Sequence, residues 1–222
     1  MTTHIRAVSV LPRALPNHLF HANPVCKPVE RVFQAGQTLF HQGDDANYVF
    51  ELRSGVVRQT RSLETGERQV IGFHFPGDIV GIAPGGMHRA ECTAITAGRA
   101  LVHRADGLTS PERDPVLHAR LLSATIHEFA HVQDQLVMMG RRSACAKVEA
   151  FLQFLVERTG VAKGTAIEVD IPMTRQDIAD FLGLAIETVS RTFTELRLKG
   201  VIEMDDPHRL LVLQREALAS VH

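Results

Sequence analysis

Residues 173–200, MTRQDIADFLGLAIETVSRTFTELRLKG, carry the pattern on which the reading of the whole chain turns. Thr174 followed three residues later by Asp177 has the form of a capping box, and Ile178, Phe181 and Leu182 recur at the spacing of one apolar helix face. Gly183 then ends that helix. Four residues on, Glu187, Ser190 and Arg191 fall at i, i+3 and i+4 and share a face, while Val189, Phe193 and Leu196 line the opposite one. One face packs; the other presents a carboxylate, a hydroxyl and a guanidinium. Those groups suit base edges in a major groove, where Glu accepts from cytosine and Arg pairs bidentately with guanine. Two short helices around a tight turn, with faces divided in this way, predict a helix-turn-helix.

The literal residues TRQDIADFLGLAIETVSRTFTELRLKGVI resemble the DNA-binding helix-turn-helix of the CRP/FNR family of bacterial transcription regulators, whose signature runs through DIA..LG...ETVSR....L...G.I. The resemblance implies base reading by Glu187, Ser190 and Arg191, with Thr174, Arg175, Gln176 and Thr188 completing the DNA-binding set. Ile186 stands where the cyclic-AMP receptor branch has an arginine, and Ser190 where that branch has a glycine. Both point to the FNR/FixK branch and to a palindrome of the TTGA-N6-TCAA type. Ala185 departs from relatives that have Thr or Ser at the cap of the recognition helix; a missing N-cap costs about 1 kcal/mol, which packing of Phe181 and Leu182 should offset.

A chain of 222 residues holds two modest domains, and 45% hydrophobic with 22% charged residues is ordinary for a globular protein. Net charge is -1, and from Arg141 onward eleven Lys and Arg face twelve Asp and Glu, so phosphate contacts must be local. Arg175, Arg191, Arg197, Lys199 and Arg209 are the available cations, and affinity should fall with salt. Cys26, Cys92 and Cys145 form neither an even set nor a CxxC spacing, which argues against a disulfide framework or zinc ribbon. No basic region precedes an apolar run at the N-terminus, and no stretch approaches the roughly 20 apolar residues of a membrane helix. A cytoplasmic protein is expected.

Residues 1–29 read as an irregular lead-in with Pro12, Pro16, Pro24 and Pro28. The resemblance to FNR proper would imply a cluster of cysteines there holding an oxygen-sensing iron-sulfur centre, but this stretch supplies only Cys26. Residues 30–111 change texture to short β-rich runs, RVFQ, TLFHQ, YVFEL, VVRQT, RQVIGFHF, DIVGI, ECTAIT and RALVHR, punctuated by Gly36, Gly43, Gly55, Gly66 and Gly77, which predicts an all-β barrel or jelly roll. The order AG..LF..GD.....F.L..G.V, followed by G....I..F..GDIVG, resembles the cyclic-nucleotide-binding fold of CRP/FNR sensors. In nucleotide binders that fold presents a Glu shortly after the GD motif and then Arg-Ser. Here Gly77 and Asp78 supply the GD, Ile82 sits at the Glu position, and Arg89 is followed by Ala90, so the effector pocket reads as degenerate and no cofactor is expected. Arg89 is left to solvate or to pair with a neighbour such as Glu91.

Residues 112–139 form the longest helical pattern, with Leu122, Ile126, Phe129, Gln133 and Leu136 at 4-3-4-3 spacing, a heptad seam. The resemblance makes this the dimerisation helix, so that two half-sites are read together; a helix buried in a monomer's core is the other reading. Residues 140–218 complete a winged helix-turn-helix: Val148, Phe151, Leu152 and Leu155 make one helical stripe under the reader, AIEVDIP a short strand, and VIEMDD with LLVL the wing. The fold class expected is therefore α+β, and the expected partners are double-stranded DNA, a second copy of the chain and RNA polymerase, with no membrane.

Three further readings stay open. His127, Glu128 and His131 spell HEFAH, the HExxH pattern of zinc metallopeptidases, in which both His share a metal and the Glu is the base. A sensor using haem or another small molecule could draw on His41, His74, His88 or His103. Cys145 is either a small buried side chain or a redox switch.

Overall fold

The computed structural model describes residues 28–108, 110–112 and 114–219. Cys26 and the lead-in as far as residue 27 lie outside the described residues. Eight strands follow the eight apolar runs: β1 (Val29–Phe33), β2 (Thr38–Phe40), β3 (Tyr48–Ser54), β4 (Val57–Ser62), β5 (Arg68–His74), β6 (Ile79–Val80), β7 (Glu91–Ala94) and β8 (Gly98–Arg104). They form two antiparallel sheets, ordered β1-β8-β3-β6 and β2-β7-β4-β5. Phe33, Phe50, Leu52, Val80 and Val102 of the first sheet meet Phe40, Val57, Cys92 and Ala94 of the second in one buried cluster, the core of a two-sheet jelly roll. Alternation buries one face of β8 from Arg99 to Val102, whereas β3 is buried at four consecutive positions, 49–52. The turn at Gly55 shows why glycine punctuates the runs: φ is +86°, and a Cβ there would lie 2.8 Å from the Ala97 carbonyl oxygen.

The hairpin of β4 and β5 carries a bulge, because Gln59 pairs with Gly72 and Thr60 with Val70, leaving Ile71 without a partner. An extra residue resets the two-residue period, so Val70 and Phe73 join the same core although an odd number of positions separates them. That core is not the one inside the jelly roll. It is shared with the C-terminal half of the chain.

A 25-residue helix, α1 (Pro115–Met139), follows a 3-10 turn at Ala105–Leu108. It starts slightly later than the pattern suggested, where Asp114 caps it by accepting from Leu117 N at 2.9 Å. Of its side chains only Leu121 and Met138 are buried, so a helix sunk in a monomer's core is ruled out. Its anchor to the jelly roll is polar as well as apolar: Glu51 on β3, 5% exposed, is bonded by Arg120 of α1, by His103 Nε2 at 3.0 Å and by Arg53 at 3.1 Å.

The C-terminal half holds α2 (Ala144–Thr159), β9 (Val161–Lys163), β10 (Ala166–Asp170), α3 (Arg175–Leu182), α4 (Ile186–Leu198), β11 (Ile202–Asp206), β12 (Arg209–Val212) and α5 (Arg215–Ala219). Strands β9 and β10 and the wing make one sheet in the order β11-β12-β10-β9. Val148, Phe151, Leu152 and Leu155 of α2 are all buried, as their spacing predicts. Phe151 is fully buried, with ring centroids 6.0 Å from Phe73 and 5.7 Å from Phe181. It therefore joins sensor, α2 and reader in one aromatic cluster. Phe151→Ala is expected to lower the unfolding free energy by about 3–5 kcal/mol, read as a shift in the urea midpoint; a loss below about 1 kcal/mol would mean that this cluster is not continuous.

Candidate nucleic-acid interface

Helix α3 begins with the capping box in full: Thr174 Oγ1 accepts from Asp177 N at 3.0 Å, and Asp177 Oδ2 accepts from Thr174 N at 3.2 Å. It ends at Gly183 in the left-handed region, φ +63°. Ile178, Phe181 and Leu182 are buried beneath it. Helix α4 has no side-chain hydrogen bond at its Ala185 cap, as the missing hydroxyl implies. Leu184 and Ile186, packed against the core, hold that end in its place.

On α4 the division of faces is as expected. Val189, Phe193 and Leu196 are buried, while Glu187, Ser190 and Arg191 are exposed and Thr188 is half-buried. Glu187 and Arg191 stand one turn apart, yet among the described residues neither has an ion-pair partner. Thr192 and Thr194 turn their hydroxyls back onto the helix, to Thr188 O and Ser190 O at 2.9 and 3.1 Å. On the first two turns of the helix the exposed polar tips are those of Glu187, Ser190 and Arg191.

Helix α3 supplies a different kind of contribution. Thr174 and Gln176 are exposed at its start, and Gln176 Nε2 donates to Asp180 Oδ1 at 2.5 Å. Arg175 is drawn inward: its guanidinium lies 3.7 Å above the Phe193 ring and donates to Met204 Sδ at 3.5 Å. Burial lowers its pKa from the ordinary arginine value. It braces the recognition helix against the wing beside a cleft of about 310 Å³ that Ser190, Arg197 and Asp206 also line. Arg209, another of the expected cations, is held by Asp170 at 3.2 Å and Glu168 at 3.3 Å. Of the expected cations, Arg191, Arg197 and Lys199 remain exposed on and just beyond α4.

The effector positions look different. Asp78 does not face a pocket interior as a free carboxylate. Both its oxygens accept from Arg158 of α2 at 2.5 Å, and Oδ2 takes Phe75 N at 2.8 Å. Gly77 supplies the turn, φ +98°. Ile82 is half-buried, Arg89 is exposed and Ala90 is buried. Arg89 forms no ion pair with Glu91, which instead takes His41 Nδ1 at 2.9 Å. Phe40 stacks on His88 at 3.8 Å and on Phe50 at 5.8 Å, and a Cβ added at Gly81 would lie 3.4 Å from both phenyl rings.

Of the other candidate histidines, His127 is exposed on α1. His74 and His88 are buried and desolvation lowers the pKa of both, while His103 is bonded to Glu51. Glu128 and His131 of HEFAH line a cavity of about 310 Å³ between β5, α1 and α2; Glu128 lies 3.8 Å from His74 Nδ1, and His131 Nε2 accepts from Arg158 at 3.2 Å. Among the described residues no three His, Cys, Asp or Glu side chains converge in a metal-binding group. Cys145 is half-buried, and burial with a hydrogen bond to Glu149 at 3.3 Å pushes its thiol up to about 11. A protonated thiol is a poor nucleophile at neutral pH.

A jelly roll, a long exposed helix and a winged helix-turn-helix with an exposed polar face on α4 make the architecture of a two-domain DNA-binding regulator. Residues 30–110 match the family described as cyclic nucleotide-binding domain, and residues 171–202 match bacterial regulatory proteins, crp family. The chain is 41% identical over 171 residues to the nitrogen fixation regulation protein FixK of Bradyrhizobium diazoefficiens, covering 77% of this chain and 72% of that one. It is likewise 41% identical over 189 residues to the transcriptional activatory protein AadR of Rhodopseudomonas palustris, covering 83% and 78%. The solved structure of FixK2 from Bradyrhizobium japonicum superposes with a TM-score of 0.78 at 28% identity, over 87% of this chain and 96% of that one. The chain belongs to the CRP/FNR family of DNA-binding transcription regulators, in its FixK-like branch.

Proposed function

We propose that the protein is a homodimeric transcription activator that reads a TTGA-N6-TCAA-type palindrome without cyclic AMP and without an enzymatic step. The observation that carries this reading is the exposed trio Glu187, Ser190 and Arg191, whose side chains have no hydrogen-bond or ion-pair partner among the described residues, on one face of α4. Arg191 supplies a bidentate partner for guanine and Glu187 an acceptor for cytosine. The dimer is supported by α1, whose seam residues Leu122, Ile126, Phe129 and Leu136 are 48–67% exposed, a row of apolar side chains that water does not favour. Thr174, Gln176 and Thr188 flank the reading face, and Arg175 supports it from beneath. Activation is supported by the name AadR carries, and implies contact with RNA polymerase in the cytoplasm. No described helix is long and apolar enough to cross a membrane.

Independence from cyclic AMP is supported by Ile82 and Ala90 at the cassette, and by Phe40 and Phe50 against Gly81. A mobility-shift assay with a TTGA-N6-TCAA duplex and a scrambled duplex, with and without added cyclic AMP, tests the reading. Tight binding to the palindrome alone, unchanged by the nucleotide, is expected. Binding that appears only with cyclic AMP, or equal binding to both duplexes, would overturn it.

A further inference from the structure

Two arginines on the sensor hairpin reach the first helix of the reader. Arg58 of β4 lies 2.5 Å from Asp177 Oδ1; Arg68 of β5 lies 2.9 Å from the same oxygen and 3.5 Å from Asp180 Oδ2. Asp177 Oδ2 accepts from both Thr174 N and Thr174 Oγ1, so the carboxylate that closes the capping box is also the sensor's anchor. Its side chain is 2% exposed and that of Arg58 24%, which takes the pair largely out of water and makes its geometry demanding.

A second contact fixes rotation as well as distance. Phe73 is the cross-strand partner of Arg58, so both side chains leave the hairpin on one face. Asp177 and Phe181 stand at i and i+4 on α3 and share a face too. Phe73 meets Phe181 at 5.1 Å while Arg58 meets Asp177. The pair on the hairpin thus grips the pair on the helix at one ionic and one aromatic point. Helix α1, by contrast, enters the shared core only through Met138 before the short joint at Gly140–Ser143.

We propose that Arg58 and Arg68 are positioning residues that set the separation and angle of the two readers in the dimer, and so determine which half-site spacing is accepted. The proposal rests on the palindrome reading above. Two half-sites on one duplex are bound jointly only when both recognition helices match their separation and helical phase. A reader that kept the aromatic point but lost the ionic one would rotate about Phe73, tolerate other spacings and lose part of the gain from joint binding.

The test compares wild type, Arg58→Gln/Arg68→Gln and Arg58→Lys/Arg68→Lys in mobility shifts on TTGA–TCAA duplexes whose spacers are native, or shorter and longer by one and two base pairs. The Gln double variant is expected to remain dimeric and to keep preferring TTGA over scrambled half-sites, while its preference for the native spacer falls about tenfold. The Lys variant should recover part of that preference. If the Gln double variant is unstable, Asp180→Asn, which removes the charge from the more exposed arm of Arg68 and keeps an Oδ1 that can accept from Gln176, should give a smaller change of the same kind. An undiminished spacer optimum in folded variants overturns the proposal alone. So does a uniform loss on every duplex with a salt slope reduced by about one per arginine, the mark of a phosphate contact. A wild-type chain indifferent to spacing overturns the palindrome reading and the proposal together.

Discussion

A chain carrying Ile126→Glu and Phe129→Glu is expected to stay folded, to run as a monomer and to lose binding to the palindrome. Both side chains are more than 60% exposed in the single protomer, so replacing them removes little from its own core. In a two-fold pairing of α1 they meet their counterparts, and four apolar side chains leave the seam at about 1.5–3 kcal/mol each. Four carboxylates would take their place in a strip that excludes water, which adds desolvation and like-charge repulsion to the loss. Sedimentation equilibrium measures the first consequence and the mobility shift the second. A variant that remains dimeric at micromolar concentration would place the interface elsewhere than on this seam.

Arg191→Ala is the complementary experiment, since it should leave the dimer untouched and remove what it reads. A good bidentate pair is worth about 1–3 kcal/mol of discrimination. Two-fold symmetry places one such pair in each half-site, so the ratio of palindrome to scrambled affinity should fall by about one to four orders of magnitude. Arg191→Lys keeps the charge but not the fork, and should restore affinity for both duplexes more than it restores their ratio. Competition binding against scrambled duplex measures this. An unchanged ratio in Arg191→Ala would show that the arginine serves a phosphate and that bases are read by other groups.

What the sequence made legible follows from how far apart the interacting residues lie. The faces of α3 and α4 could be read because a 3.6-residue period sorts neighbouring positions, and the capping box because its partners are three residues apart. Eight strands could be placed because glycines mark the turns between them. Three-residue β9 and five-residue α5 were missed, both too short to establish a period. Arg58 and Asp177, 119 positions apart, have no local signature. The same is true of Asp78, whose GD motif suggested an effector site while its carboxylate holds Arg158. Arg175 was visible as a cation, but not the Phe193 ring beneath it that turns it from the surface. The bulge at Ile71 shows only as an interruption of alternation, which a single sequence does not separate from noise.

That bulge bears on how freely the two halves can be recombined. By turning Val70 and Phe73 to one side, it makes the sensor hairpin a wall of the reader's own core. In sequence the reader begins after Gly140, and a chimaera cut there would appear to carry it whole. In packing it begins at β4. A transplanted reader would leave Phe151 and Phe181 without Phe73 and the buried carboxylate of Asp177 without its arginines, so the transferable unit is discontinuous: the C-terminal segment together with the β4–β5 hairpin.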